Sequence, residues 1–96
     1  MSKDKVALII GAGDYLGSAI ARRFAKEGFH AVGTRRRGDL TSFVKEIEES
    51  GGKATGKYSD ARKEKQVVEL VEWVENQIGS IDVFVFNIGG NVMFPI

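Results

Sequence analysis

Two hydrophobic periods alternate along the chain. Val6-Ala7-Leu8-Ile9-Ile10 is an unbroken aliphatic run ending at Gly11, the pattern of a strand buried on both faces. From Leu16 the period changes: Leu16, Ile20 and Phe24 recur every four residues, while Arg22, Arg23, Lys26 and Glu27 fall elsewhere. That spacing predicts an amphipathic helix closed by Gly28. Residues 29–34 read as a second, weaker strand interrupted by Gly33. Asp39 is placed to cap a second helix, with Leu40, Phe43, Val44 and Ile47 at i, i+3, i+4 and i+7 and Gly51-Gly52 at its end. Residues 53–59 give a short, weakly hydrophobic third strand. A third helix is predicted over 63–78, with Val67, Val71, Val74 and Ile78 on one side and Glu69, Glu72 and Glu75 on the other. Gly79 stops it, and Val83-Phe84-Val85-Phe86 reads as a fourth strand buried on both sides, with 87–96 irregular.

Strands alternating with helices of this length imply parallel pairing through right-handed crossovers. The expected fold class is α/β: a three-layer Rossmann-type half, with a parallel four-stranded sheet in the order 3-2-1-4 and three crossover helices. Ligands of such a sheet sit beyond the carboxyl ends of its strands. Residues 1–96 are expected to form one truncated nucleotide-binding domain.

Composition narrows the chemistry. The 96 residues carry 14 Lys+Arg against 13 Asp+Glu, so net charge gives no reason to expect nucleic acid or an anionic membrane as partner. The five-residue aliphatic run is far too short to span a bilayer. Zero Cys excludes disulfides and thiolate metal sites and suits a cytoplasmic setting. No His/Asp/Glu cluster has metal-ligand spacing, no Ser has a base and orienting acid in sequence context, and no G-K-[ST] follows the glycine loop.

The residues that can carry chemistry all fall at predicted strand ends. Gly11-Ala12-Gly13-Asp14-Tyr15-Leu16-Gly17 links the first strand to the first helix, where a tight turn, close backbone approach and free helix N–H groups suit a phosphate. Its G-x-G-x-x-x-G spacing misses the strict dinucleotide fingerprint, so a turn that binds nothing stays open; the strand-before, helix-after context favours phosphate. Arg35-Arg36-Arg37 follows the second strand with no acid before Asp39. Guanidinium forks there match a 2′-phosphate and favour NADP(H) over NAD(H), against a plain solvated basic loop. Residues 1–48 hold nine basic and six acidic groups, the remainder five and seven, in keeping with a basic nucleotide-facing half. Asp60 can accept from an adenine amino group, although a helix cap is the simpler role. Asn87-Ile88-Gly89-Gly90 either lets a ribose or nicotinamide approach or merely ends the strand. His30 reads as structural, and Tyr58 is followed four residues later by Arg62, not by a lysine.

These residues resemble the N-terminal part of the short-chain dehydrogenase/reductase family across the whole chain. Ile10 to Gly17 resembles its glycine motif T-G-x-x-x-G-x-G. Arg35 stands where NAD-dependent relatives carry an acid, and Arg36 where NADP-dependent relatives often carry a base. Ser59-Asp60-Ala61 resembles the element that meets adenine, and Phe86-Asn87-Ile88-Gly89 resembles N-N-A-G. Tyr15 replaces the middle glycine and Phe86 the first Asn. The resemblance implies a cofactor site of Gly11, Gly13, Asp14, Tyr15, Leu16, Gly17, Arg35, Arg36, Ser59, Asp60, Ala61, Asn87, Ile88 and Gly89. The family's catalytic Ser, Tyr and Lys have no matching position here. The expectation is therefore the NADP(H)-binding part of an oxidoreductase, inactive alone. A self-associating module that dimerises through the open edge of the fourth strand is the alternative.

Overall fold

A computed structural model describes residues 5–12 and 15–87, apart from the side chain of Tyr15. Four strands alternate with three helices: β1 (Val6–Ile10), α1 (Tyr15–Lys26), β2 (His30–Arg35), α2 (Thr41–Glu49), β3 (Lys53–Tyr58), α3 (Glu64–Gln77) and β4 (Ile81–Phe86). All pairings are parallel and the strand order is β3-β2-β1-β4, as the alternation predicts. No helix among the described residues is long and apolar enough to cross a membrane.

The pleat of β1 divides the core in two. Ala7 and Ile9 pack with Ala21 of α1 and with Phe43 and Ile47 of α2 on one face. Val6, Leu8 and Ile10 pack with Leu70 and Val74 of α3 on the other. Every residue of β1 is at most 2% exposed, which is why its sequence is continuous rather than alternating. Gly33 in β2 is also explained. A Cβ there would lie 2.4 Å from the Phe43 ring and 2.5 Å from Ala12 Cβ, so the missing side chain lets α2 and the β1–α1 turn close over the sheet.

Three expectations are corrected. β4 is two residues longer than its apolar run suggests, and it is not buried on both sides. Val83 and Val85 pack on the α1–α2 face, whereas Phe84 and Phe86 remain 36% and 38% exposed, their rings stacked 6.3 Å apart. Among the described residues β4 has one neighbouring strand, and the α3 cluster takes in β1, β2 and, of β4, Ile81. Asp39 precedes the N-cap of α2, which is Leu40, yet its carboxylate still serves the helix start. Its Oδ1 accepts from the amides of Thr41 (2.8 Å) and Ser42 (3.3 Å), and its Oδ2 from the Ser42 hydroxyl. Asp60 does not cap α3, whose N-cap is Lys63; a longer lead-in, fixed by Lys63 N donating to Asp60 O at 3.0 Å, separates the two.

β4 joins β1 through an irregularity. The register steps from Val6↔Ile81 to Ala7↔Val83, and the skipped residue, Asp82, accepts a hydrogen bond from Val6 N at 2.9 Å. The carboxylate satisfies an amide that the bulge would otherwise leave unpaired.

Candidate cofactor site

The carboxyl ends of all four strands meet along one rim of the sheet, and the loop after β1 lies at its centre. Gly11 N and Ala12 N both donate to Thr34 O at 2.8 Å, fastening this loop to the end of β2. On the other side Asn87 N donates to Ile10 O at 2.7 Å, and Asn87 Nδ2 donates to Gly11 O at 2.9 Å. Gly11 has φ +90°, and a Cβ on it would lie 1.6 Å from Asn87 O; both conformation and space demand glycine. A Cβ on Gly17 would lie 1.9 Å from Gly11 O and 2.7 Å from Ala12 Cα, so the first turn of α1 rests directly on the loop backbone. That turn, from Tyr15 onward, holds no acidic residue, which suits its amide end to an anion. Leu16 is 53% exposed beside it. Gly13, Asp14, Ile88 and Gly89 lie outside the described residues.

Side chains shape the β2–β3 side of the rim. Arg35 ends β2 and turns back on its own loop, donating from Nη1 to Asp39 O at 3.0 Å, while Tyr58 OH at the end of β3 donates to Gly38 O. Arg36 and Arg37 stay exposed. The acid of this loop, Asp39, is turned toward α2, and the Ser42 hydroxyl, followed by the Thr41 amide and hydroxyl, holds its carboxyl well below the usual carboxylate range.

Ser59, Asp60 and Ala61 continue from β3. Ser59 is buried, its amide donating to Arg35 O at 3.1 Å, and Ala61 packs on the α3 cluster. Asp60 is 8% exposed and its amide donates to Gln66 Oε1 at 2.8 Å. Its carboxyl is lowered from the ordinary 3.8 to about 2, chiefly by the Arg62 guanidinium and amide, with a smaller electrostatic contribution from Arg36. Arg36 and Asp60, far apart in sequence, therefore stand close enough to feel each other's charge. A groove of about 360 Å³ opens between the carboxyl end of β3 and α3, lined by Tyr58, Ser59 and Gln66 among others, with Lys57 Nζ 4.6 Å from the Trp73 ring centroid.

The structure thus gathers Gly11, Gly17, Arg35, Arg36, Ser59, Asp60, Ala61 and Asn87 along one rim. Sequence reading missed Gln66 and the two clamps, Tyr58 on Gly38 and Arg62 on Asp60. The Asp60–Arg62 pair carried a signal, opposite charges two residues apart in a loop; Gln66 carried none beyond its helix. His30, read as structural, bonds Thr55 through Nε2 at 2.8 Å, at the opposite end of β2.

The short chain dehydrogenase family model matches residues 5–96. The chain belongs to that family. Diacetyl reductase [(S)-acetoin forming] of Staphylococcus epidermidis is 38% identical over 93 residues, covering 96% of this chain and 36% of the relative. A point variant of actinorhodin polyketide ketoreductase, solved with NADPH, superimposes with a TM-score of 0.84 at 36% identity, covering 91% of this chain and 34% of that one. A metagenomic short-chain oxidoreductase in complex with NADP gives a TM-score of 0.80 at 29% identity, covering 85% and 38%. The chain therefore spans little more than a third of the length of such relatives. Its rim fits a dinucleotide on its own geometry: a glycine cradle that a Cβ would fill, a first turn of α1 free of acidic residues, and cations at the end of β2.

Proposed function

We propose that these residues form the adenosine and phosphate half of an NADP(H) site in a short-chain oxidoreductase. Gly11, Gly13, Asp14, Tyr15, Leu16 and Gly17 would hold the pyrophosphate at the start of α1. Arg35 and Arg36 would hold the 2′-phosphate, Ser59, Asp60 and Ala61 the adenine, and Asn87, Ile88 and Gly89 the ribose and nicotinamide side. When bound, the dinucleotide supplies or accepts a hydride; this chain's residues bind and orient it. The supporting observation is the fate of Asp39. An NAD-type site needs a carboxylate turned to the ribose hydroxyls, and this loop's carboxylate is bonded to Thr41 and Ser42 instead, leaving exposed guanidinium groups. Titration calorimetry with NADP+ and NAD+ tests the reading. NADP+ should bind at least about tenfold tighter, and Arg36→Ala should erase the preference. Equal affinities in the unmodified protein would overturn it. The 96 residues alone should reduce no carbonyl substrate, because no Ser, Tyr and Lys match the family's catalytic set.

A second reading rests on the exposed pair Phe84 and Phe86 on β4, the edge strand of the described sheet. An apolar edge strand pairs readily with a like strand, and we infer that two copies join there. Light scattering at tens of micromolar should show a dimer that Phe84→Glu dissociates; a strict monomer would refute it.

A further inference from the structure

Asp60 is held from more directions than an adenine contact requires. Its Oδ1 accepts from Arg62 N at 3.0 Å and Arg62 Nε at 3.1 Å, and its Oδ2 accepts from Arg62 Nη2 at 3.1 Å. The guanidinium lies over the carboxylate as a two-pronged fork. The backbone is fixed separately, by Asp60 N on Gln66 Oε1 and Lys63 N on Asp60 O. Arg62 is thus not needed to place the main chain; what it controls is the rotation of the carboxyl group, whose terminal torsion is otherwise broad and two-fold.

The count of acceptors gives this a consequence. An ionised carboxylate offers about four acceptor positions and no donor. Arg62 fills both positions on Oδ1 and one on Oδ2. Among the described residues this leaves one acceptor position, on a single oxygen of a nearly buried group. A partner that completes it must bring one N–H or O–H. The exocyclic amino group of adenine does so, whereas the carbonyl that replaces it in hypoxanthine sets lone pair against lone pair.

We propose that Arg62 is a positioning residue that, by locking Asp60, makes the site select an aminopurine over an oxopurine. The proposal rests on the NADP(H) reading above and adds to it the residue that sets base discrimination. Arg62 itself is two-thirds exposed, and its charge is matched by Asp60, so the 2′-phosphate remains with Arg36.

The test compares binding of NADP+ and its hypoxanthine analogue, deamino-NADP+, by titration calorimetry in the unmodified protein and in Arg62→Ala, Arg62→Lys and Asp60→Asn. The unmodified protein should favour the adenine form by about tenfold, the worth of one charge-assisted hydrogen bond. Arg62→Ala should cut that preference to about twofold while the melting temperature stays within a few degrees. Arg62→Lys should restore only part of it, because an ammonium cannot fork, and Asp60→Asn, which can present a donor, should invert it. If Arg62→Ala fails to fold, Arg62→Gln gives the same reading. A preference unchanged in Arg62→Ala would overturn the proposal. Equal binding of both forms by the unmodified protein would overturn it too, yet leave the cofactor reading standing; binding of neither would overturn both.

Discussion

On the β1–β4 side of the rim, backbone atoms do most of the holding. Gly11 N and Ala12 N reach Thr34 O, Asn87 N reaches Ile10 O, and Gly17 presses on Gly11 O with no room for a methyl group. On the β2–β3 side the contacts are made by side chains: Arg35 on Asp39 O, Tyr58 on Gly38 O, Asp39 on the start of α2, Arg62 on Asp60. The first kind of contact is indifferent to residue type except where it forbids a side chain. The second can be retuned one residue at a time. On the proposed reading the difference divides the labour of recognition: the glycine side would set where a phosphate sits, and the polar side which nucleotide is preferred.

The sharpest way to break the comparison is Gly11→Ala. With a Cβ 1.6 Å from Asn87 O at φ +90°, it should cost roughly 4 kcal/mol or prevent folding, seen by chemical denaturation. Near-normal stability would mean that the loop is not backbone-limited. Asn87→Ala removes the side-chain bond to Gly11 O and should cost about 1–2 kcal/mol, with nucleotide affinity falling alike for NADP+ and NAD+; a selective effect would move Asn87 to the other class. On the polar side the probe is pH. Asp60 sits lowered from 3.8 to about 2, so its ionised form contributes stability above pH 3.8 that fades as pH falls through 2. Asp60→Asn should flatten that part of a melting-temperature profile between pH 4 and 2; an unchanged slope would discount the Arg62 clamp. Thr34 gives the smallest effect. Its hydroxyl is buried and no partner for it is found among the described residues, while its carbonyl serves both Gly11 and Ala12. Thr34→Val should therefore stabilise by up to about 1 kcal/mol, and a loss instead would reveal a bond to that hydroxyl.

What was legible in the sequence follows the range of the interaction. Strand order, helix count and the alternation of layers come from periods of two and near four residues, and those needed no knowledge of partners. The glycine loop and the arginine run could be read because each is contiguous and stands at a strand end. Gly33 could not: its glycine answers to Phe43 and Ala12, on two other elements. Phe84 and Phe86 misled because an apolar run is the same text whether one face or two are covered. Asp82 and Asn87 each answer to a residue 76 positions earlier, and nothing local announces it. Asp60 read as a cap because aspartate favours caps; only the path of the chain into α3 gave its carboxylate to Arg62 instead.

The same separation bears on how the chain is made. Of the four described strands β1 is synthesised before the others, and β2 can cover one of its edges after only some two dozen residues. Its second edge waits for β4, and hence for two more crossovers to be completed. Throughout that interval Val6 to Ile10 presents a bare aliphatic margin, and long-range parallel pairing is slow. Asn87, bonding Ile10 and Gly11, then latches the end of β4 to the loop after β1. The pairing that gives the glycine loop its second wall is thus also the one that covers the aliphatic margin of β1.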